Sequence, residues 1–218
     1  MSATTDEQIV QLRTERRLVR PRFLSAAGAL LVVAGFIALM GIITAETLYP
    51  EGYSTSGNAI SDLGATLPPD SVIEEPSATI FNSVMIAGGI MVIAAAACLQ
   101  AGFRRLAVAV FTGLTGLGML GVGVFPGNYD TLHAVFAMVI FVAGGIAAIV
   151  SQLVQKPPFS IISTLLGVIG LGSLVLYMVL GDNNPMQALG IGGIERWVAY
   201  PVLVWVMSFG GYVMGRAR

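Results

Sequence analysis

Long uncharged apolar stretches alternate with polar connections along the chain. Six of these stretches reach the length of about 20 residues that a helix needs to cross the ~30 Å hydrocarbon core of a bilayer. They run over residues 23–45, 78–99, 106–125, 132–154, 159–181 and 197–215. Their apolar residues are continuous and do not alternate with polar ones, so they predict helices and not the strands of a barrel. We therefore expect an all-α membrane protein with six transmembrane helices.

The connections between the six stretches differ greatly in length. Four of them hold between 4 and 15 residues, and only the first connection is long. Short connections place consecutive helices side by side in opposite directions, which predicts a bundle of three antiparallel hairpins. The chain then divides into an N-terminal segment, residues 1–22, and a transmembrane domain, residues 23–218, with one large outer loop at residues 46–77.

Basic residues lie almost entirely on one side of the predicted bundle. Ten of the eleven lie before the first stretch, after the sixth, or in the second and fourth connections, and Arg196 is the exception. The other three connections carry nine of the twelve acidic residues. Because Lys and Arg are retained in the cytoplasm when a membrane protein inserts, we expect the N- and C-termini to be cytoplasmic. We therefore predict a multi-pass protein of the plasma (cell) membrane.

Composition excludes several classes of function. The chain is 56% hydrophobic and 11% charged, whereas soluble domains carry about 25% charged residues. This difference excludes an ordinary soluble enzyme domain. A net charge of −1 offers no basic field for nucleic acid, so the expected partners are membrane lipids. With a single histidine, the chain has no metal site built from several histidines. With a single cysteine, it cannot form an internal disulfide. No cofactor-binding motif occurs either, and we expect no metal and no cofactor.

Glycine is unusually frequent, at 27 of 218 residues. Small residues let helix backbones approach closely inside a bilayer, where lipid provides no hydrophobic drive for helices to associate. The pattern therefore predicts tight packing within the bundle. Gly211 and Gly215 lie four residues apart in the sixth stretch and are, as an alternative, a candidate seam for a homodimer.

Candidate functional residues collect at the outer ends of the stretches. The first connection holds Asn58, Ser61 and Asp62 in a segment that we expect to form a short turn over the mouth of the bundle. Asn82 lies about one turn inside the second stretch, where an unpaired amide is costly, so it needs a partner from another helix or from the first connection. Ser77 is a candidate N-cap of the second helix.

The junction of the third and fourth stretches carries the only imidazole of the chain. Asp130 is a natural N-cap of the fourth helix, and His133 follows three residues later on the same face. The two side chains are the first candidates for a catalytic acid–base pair, with Asp62 and Glu195 as further candidates. Their structural alternatives are a helix cap and a buried hydrogen-bonding histidine.

Glu195 and Arg196 open the sixth helix. An arginine near lipid is costly unless it is paired, so we expect Arg196 to point into the bundle and to pair with Asp62, Asp130 or Glu195. Three connections thus bring polar residues to the same side, where one outward-facing polar pocket is expected. Its predicted members are Asp62, Asn82, Asp130, His133, Glu195 and Arg196. The candidate ligand-binding residues are Arg196, Asn82, Ser61 and Asn58.

Several of these strings resemble one known family. The first connection reads Gly-Tyr-Ser and then Ile-Ser-Asp-Leu-Gly, and Phe-Asn follows in the second stretch. Phe-Pro and His mark the next junction, and Glu-Arg, Tyr-Pro and Trp mark the sixth stretch. Beyond residue 23 the chain resembles the uncharacterised prokaryotic, notably archaeal, membrane family called domain of unknown function 998. The resemblance implies a six-helix membrane protein without an assigned activity. The motif positions it marks are Ser61, Asp62, Asn82, His133, Glu195 and Arg196.

The sequence leaves three functions open. The first is a binding or structural membrane protein whose polar pocket holds a lipid headgroup or small ligand, with Arg196 pairing a phosphate. The second is an intramembrane enzyme that modifies lipids, with His133 and Asp130 as its acid–base pair. The third is a small transporter, which the lack of charged residues inside the six stretches disfavours.

Overall fold

The computed structural model describes residues 20–217 and contains six long helices. They are α1 Pro21–Leu48, α2 Ser77–Phe103, α3 Leu106–Val124, α4 Thr131–Val150, α5 Phe159–Leu180 and α6 Gly190–Gly215. No strand occurs among the described residues. All six helices are long and apolar enough to cross a membrane, which confirms the all-helical prediction and the predicted number of helices of spanning length. Most of the predicted N-terminal segment, residues 1–19, lies outside the described residues.

Three helices, α1, α2 and α6, extend by three residues or more beyond one end of the apolar stretches that predicted them. Helix α1 continues to Leu48, so Glu46 belongs to its last turn. Helix α6 begins at Gly190, which places Glu195 and Arg196 inside the helix rather than at its start. Glutamate and arginine are good helix formers, so backbone hydrogen bonding continues through them after the apolar run has ended.

The helices close into a ring. Each helix packs against the next one in sequence, and α6 returns to α1. Helices α4 and α6 contact each other much less than each contacts α5, so α5 lies outside the gap between them. Helices α1, α2, α3, α4 and α6 therefore surround a common interior.

Glycines bring neighbouring helices into backbone contact. A methyl group at Gly116 of α3 would lie 2.8 Å from the carbonyl oxygen of Gly89 in α2, and one at Gly89 would lie 2.7 Å from the carbonyl oxygen of Gly116. Helices α1 and α6 meet in the same way at Gly28 and Gly210. Close approach at small residues is the usual way in which helices associate within lipid.

The bundle has two chemically different ends. The loop end carries the connecting segments 49–76, 125–130 and 181–189. The basic end carries Arg20, Arg22, Arg104, Arg105, Lys156 and Arg216. Towards the basic end the interior is filled by large, fully buried side chains. These are Leu24, Leu31, Leu99, Trp205 and Phe209. The indole nitrogen of Trp205 donates a hydrogen bond to Ser151 Oγ at 3.2 Å.

Candidate functional site

The first half of the loop between α1 and α2 folds down onto the loop end. Residues Ser61–Leu63 form a single 3-10 turn, and Ile60 and Leu63 beside and within it are buried in the bundle. Asp62 Oδ2 accepts a hydrogen bond from the backbone N–H of Ala59 at 3.0 Å, which stabilises the turn. The predicted turn over the mouth of the bundle is thus confirmed.

Asn58 stabilises the same segment. Its Oδ1 accepts the backbone N–H of Ser54 at 3.0 Å, and its Nδ2 lies 3.5 Å from Asp62 Oδ2. Asn58 and Asp62 therefore make hydrogen bonds within the loop, and these bonds shape its backbone.

Arg196 lies at the centre of a set of hydrogen bonds that joins α1, the loop and α6. Its Nη1 donates to the carbonyl oxygens of Thr55 at 2.9 Å, Gly192 at 2.9 Å and Asn58 at 3.3 Å. Its Nη2 forms an ion pair with the Glu46 carboxylate and donates to Tyr53 Oη at 2.8 Å. We call this group, which consists of Arg196, Glu46, Tyr53 and the three carbonyl groups, the Arg196 cluster. Both terminal nitrogens of the guanidinium are fully engaged inside the chain.

The predicted partner of Arg196 is wrong. Arg196 points inward and is paired, as expected, but its carboxylate partner is Glu46 and not Asp62, Asp130 or Glu195. Glu46 lies in the last turn of α1, on the helix against which α6 packs. The arginine side chain is 12% exposed and the glutamate 20% exposed. The pair is therefore largely shielded from solvent.

Tyr53 extends the Arg196 cluster into the loop. Its hydroxyl accepts the bond from Arg196 and donates to the carbonyl oxygen of Ala59 at 3.0 Å. Burial raises the pKa of Tyr53 to about 12, although the hydrogen bond from Arg196 acts in the opposite direction. Burial also raises the pKa of the neighbouring Tyr49, and the charges of Glu74 and Asp62 add to that shift.

Glu195 makes a separate connection between α6 and the loop. Its Oε2 accepts a hydrogen bond from the backbone N–H of Ile60 at 2.5 Å. The N–H of Ile60 lies just before the 3-10 turn, so the carboxylate fixes where the turn sits on the bundle. Neighbouring residues of one helix thus hold the loop at two different points.

Asp130 and His133 share no hydrogen bond in the described part of the chain, and their role as an acid–base pair stays a prediction. His133 is 5% exposed, and its Nδ1 lies 2.9 Å from the carbonyl oxygen of Phe125. Asp130 is exposed; it occupies the N-cap position of α4, but its side chain makes no capping hydrogen bond. The residue adopts φ +42° and ψ −98°. This is not the extended conformation in which an N-cap side chain normally reaches the helix N–H groups.

Ser77 and Asn82 connect the first two turns of α2 to the loop. Asn82 Nδ2 donates to the carbonyl oxygen of Gly64 at 3.3 Å, so the expected partner comes from the first connection. Ser77 is the first residue of α2 and not its N-cap, and its hydroxyl donates to the carbonyl oxygen of Leu63 at 3.1 Å. The carboxylate of Glu75 instead accepts a backbone N–H of the first turn.

A narrow cavity runs inside the ring of helices from the loop end towards the middle of the bundle. Its volume is about 90 Å³, and almost all of the atoms exposed to it are apolar. On α6 it extends from Glu195 to Val206. At 1.5 Å per residue these eleven steps correspond to about 16 Å. The apolar lining includes Ala34, Ala38, Ile42, Phe81, Met85, Val92, Met119, Val122, Ala137, Ile140, Phe141, Ala199, Val202 and Leu203.

Polar side chains line this cavity mainly at the loop end. They are Ser61 from the loop, His133 from α4, and Glu195 and Tyr200 from α6. Thr115 lies deeper, but its hydroxyl donates to the carbonyl oxygen of Phe111 at 2.8 Å within its own helix. The cavity surface is therefore apolar, and polar residues border it at the loop end.

The six residues that were expected to form one polar pocket occupy different surroundings. Only His133 and Glu195 line the cavity. Asn82 borders a separate surface depression, Asp62 stabilises the loop turn, and Asp130 is exposed. The prediction of a single pocket is therefore wrong for Asp62, Asn82, Asp130 and Arg196. Of the six residues, only His133 of α4 and Glu195 of α6 line the same cavity.

Sequence reasoning missed Glu46, Tyr53 and Tyr200. A signal for Glu46 was present, because Thr47 and Leu48 continue the first stretch beyond it and leave one carboxylate within the last turn of a membrane helix. Such a group needs a partner, and Arg196 is the only base predicted for that side. Tyr53 and Tyr200 lie near the ends of the apolar stretches, where tyrosine is common in membrane proteins, and nothing in their spacing singled them out.

The family of the chain can be identified from its sequence. Residues 32–212 match the model of the family described as "Protein of unknown function (DUF998)". No curated protein and no solved structure matches the chain. Because the match covers most of the chain, including all six helices in whole or part, the protein belongs to this family.

Proposed function

We propose that this member of the DUF998 family is an integral membrane protein that binds a single apolar chain, such as one acyl chain of a lipid, in the cavity of its helix bundle. The observation that carries the proposal is the narrow apolar cavity that ends at Ser61, His133 and Glu195. This arrangement matches an amphipathic ligand that has an apolar body and one polar end.

The dimensions of the cavity favour a linear ligand. The cavity is narrow, since about 90 Å³ is spread over a length of about 16 Å, and this shape favours an unbranched chain over a fused ring. A chain that occupies the whole length has to displace flexible lining side chains such as Met85 and Met119. Cavities lined by apolar side chains stay free of water and accept apolar molecules. The ligand would reach about halfway through the ~30 Å hydrocarbon core.

The surroundings of the cavity support binding rather than catalysis or passage. His133 makes no hydrogen bond to a carboxylate among residues 20–217, and its Nδ1 is bonded to a backbone carbonyl group instead. Passage would need a continuous path to the basic end. Leu31, Leu99, Trp205 and Phe209 fill the interior there and are at most 1% exposed.

Orientation and location are part of the proposal. We place the basic end in the cytoplasm and the loop end outside the cell, because basic residues are retained on the cytoplasmic side. The cavity would then face the outer leaflet of the plasma membrane. The three-hairpin arrangement is supported by the packing of α1 on α2, α3 on α4 and α5 on α6. Gly211 and Gly215 have open space around them, and a homodimer through this pair stays a prediction.

Filling the cavity tests whether it holds a chain. The Ala199→Phe variant puts a ring into the cavity lining, whereas Ala94→Phe puts the same ring on the exposed face of α2. Each protein is extracted in a mild detergent, and native mass spectrometry counts the chain-bearing molecules that stay bound. We expect one retained molecule for the wild type and for Ala94→Phe, and at least a fivefold loss for Ala199→Phe.

Equal retention by all three proteins would exclude the cavity as the binding site. Retention of no chain by the wild type would contradict the proposal as a whole. A thermal unfolding scan of each variant shows that it is folded before the retained molecules are compared. If Ala199→Phe does not fold, Ala38→Leu on α1 fills the cavity with a smaller side chain.

A further inference from the structure

We infer that the polar end of the bound chain is a hydrogen-bond donor, an alcohol or an ammonium group, and that the site disfavours phosphate and carboxylate. This inference rests on the proposed function and concerns the same cavity. It follows from the donors and acceptors that Arg196, His133 and Glu195 leave open at the loop end.

The strongest cationic donor near the cavity is already used. Both terminal nitrogens of Arg196 donate to groups of the chain, among them Glu46 and Tyr53, and Arg196 is not part of the cavity lining. A phosphate would have to replace Glu46 and break several of these bonds. The expected role of Arg196 as a partner for a phosphate is therefore not supported.

His133 has an unused acceptor beside the cavity. The carbonyl oxygen of Phe125 can only accept, so the 2.9 Å bond requires that Nδ1 of His133 carries the proton. In the neutral ring Nε2 then has a lone pair. Among residues 20–217 the hydrogen bonds of this side chain involve Nδ1 alone, and the ring lies on the cavity lining while being 5% exposed.

Glu195 adds a second acceptor. One of its carboxylate oxygens accepts the N–H of Ile60, and the side chain also lines the cavity. The hydroxyl groups of Ser61 and Tyr200 can donate or accept and do not decide the preference. The one guanidinium near this end is already paired with Glu46. An anionic ligand would find no lysine or arginine of the described residues in the cavity lining, whereas a donor would meet acceptors at His133 and Glu195.

Three probes with the same chain test this inference. Purified protein in nanodiscs of zwitterionic lipid is titrated with 1-decanol, decylammonium or decanoate, and the shift of the thermal midpoint gives an apparent Kd. The same titrations with Ala199→Phe subtract the effect of each probe on the bilayer. We expect decanol and decylammonium to bind at least about tenfold more tightly than decanoate, a ratio equivalent to about one hydrogen bond.

The variants His133→Ala and Glu195→Gln complete the test. We expect His133→Ala to weaken decanol about tenfold, and Glu195→Gln to weaken decylammonium more than decanol, because the amide removes the negative charge. Decanoate binding as tightly as decanol, or unchanged binding in both variants, would overturn the inference while leaving chain binding in place. If no probe distinguishes the wild type from Ala199→Phe, the proposed function itself fails.

Discussion

Arg196 shows how one residue can join distant parts of a membrane protein. Its guanidinium contacts the end of α1, the folded loop and the preceding turn of its own helix. The ion pair with Glu46 is largely buried, and removing one member of such a pair leaves the other without compensation, at a cost of about 3–5 kcal/mol. The stability of the loop end should therefore depend more on this pair than on any surface charge.

Substitution of the pair tests this dependence. We expect Arg196→Met to lower the free energy of unfolding by about 3–5 kcal/mol, and Glu46→Gln to lower it by a smaller amount because the amide can still accept a bond. The double variant should recover part of the lost free energy of unfolding, since it leaves no buried charge without a partner. Unfolding in mixed micelles measures all three values. If the two single losses simply add in the double variant, the residues are not coupled.

Tyr53 makes the stability of the Arg196 cluster depend on pH in the alkaline range. Burial raises its pKa to about 12, against an ordinary value near 10. Its stabilising contribution is therefore complete below about pH 10 and declines as the pH rises from about 10 to about 12. We expect the difference in thermal midpoint between the wild type and Tyr53→Phe to narrow from pH 8 to pH 11. A difference in thermal midpoint that stays constant over this pH range would argue against this role.

At the scale of the helices, glycine contacts decide how closely neighbours approach. A methyl group at Gly116 would meet backbone atoms of α2 at 2.8 Å, whereas a methyl group at Gly172 of α5 would meet no atom within 4 Å. The two positions therefore allow the same substitution to be made with and without a clash.

We expect Gly116→Ala to destabilise the protein by about 1–3 kcal/mol, because backbone cannot move aside as a flexible side chain does. Gly172→Ala should leave the stability unchanged or slightly increase it, since alanine favours the helix. Thermal unfolding of both variants in the same detergent provides the comparison. Equal destabilisation of the two would show that helix propensity, and not the contact between α2 and α3, causes the effect.

The helices themselves were predictable because a helix that crosses lipid requires about 20 continuous apolar residues, and stretches of that length can be recognised in the sequence. Helix ends were not, because Glu46, Glu195 and Arg196 continue helices past the apolar run. The pairing of Arg196 with Glu46 depends on α6 returning to pack on α1. This ring closure brings together residues 150 positions apart, and no local pattern encodes it.

The candidate site was predictable only in part for a related reason. Asn82, His133 and Glu195 attracted attention because polar groups near lipid need partners. The cavity is formed by apolar residues of five helices, each of which is ordinary in its own stretch. Only the packed bundle shows that a void lies between them, and that His133 faces it while Asp130 is exposed.

At the scale of the whole molecule, orientation decides which leaflet the cavity faces. Single cysteines at Asp70 in the loop and Arg105 between α2 and α3, each in a Cys98→Ser background, lie on exposed positions at the two ends. In intact cells we expect an impermeant maleimide to label the Asp70→Cys protein, and to label Arg105→Cys only after permeabilisation. The opposite pattern would place the cavity at the inner leaflet.

The central claim is that the cavity holds a chain. An electron-density or cryo-electron microscopy map of the protein purified from its own membrane tests this claim most directly. We predict continuous tubular density about 16 Å long that runs from Val206 to the polar end at His133 and Glu195. A cavity that is empty, or that holds only separate water-sized peaks beside the polar side chains, would contradict the account.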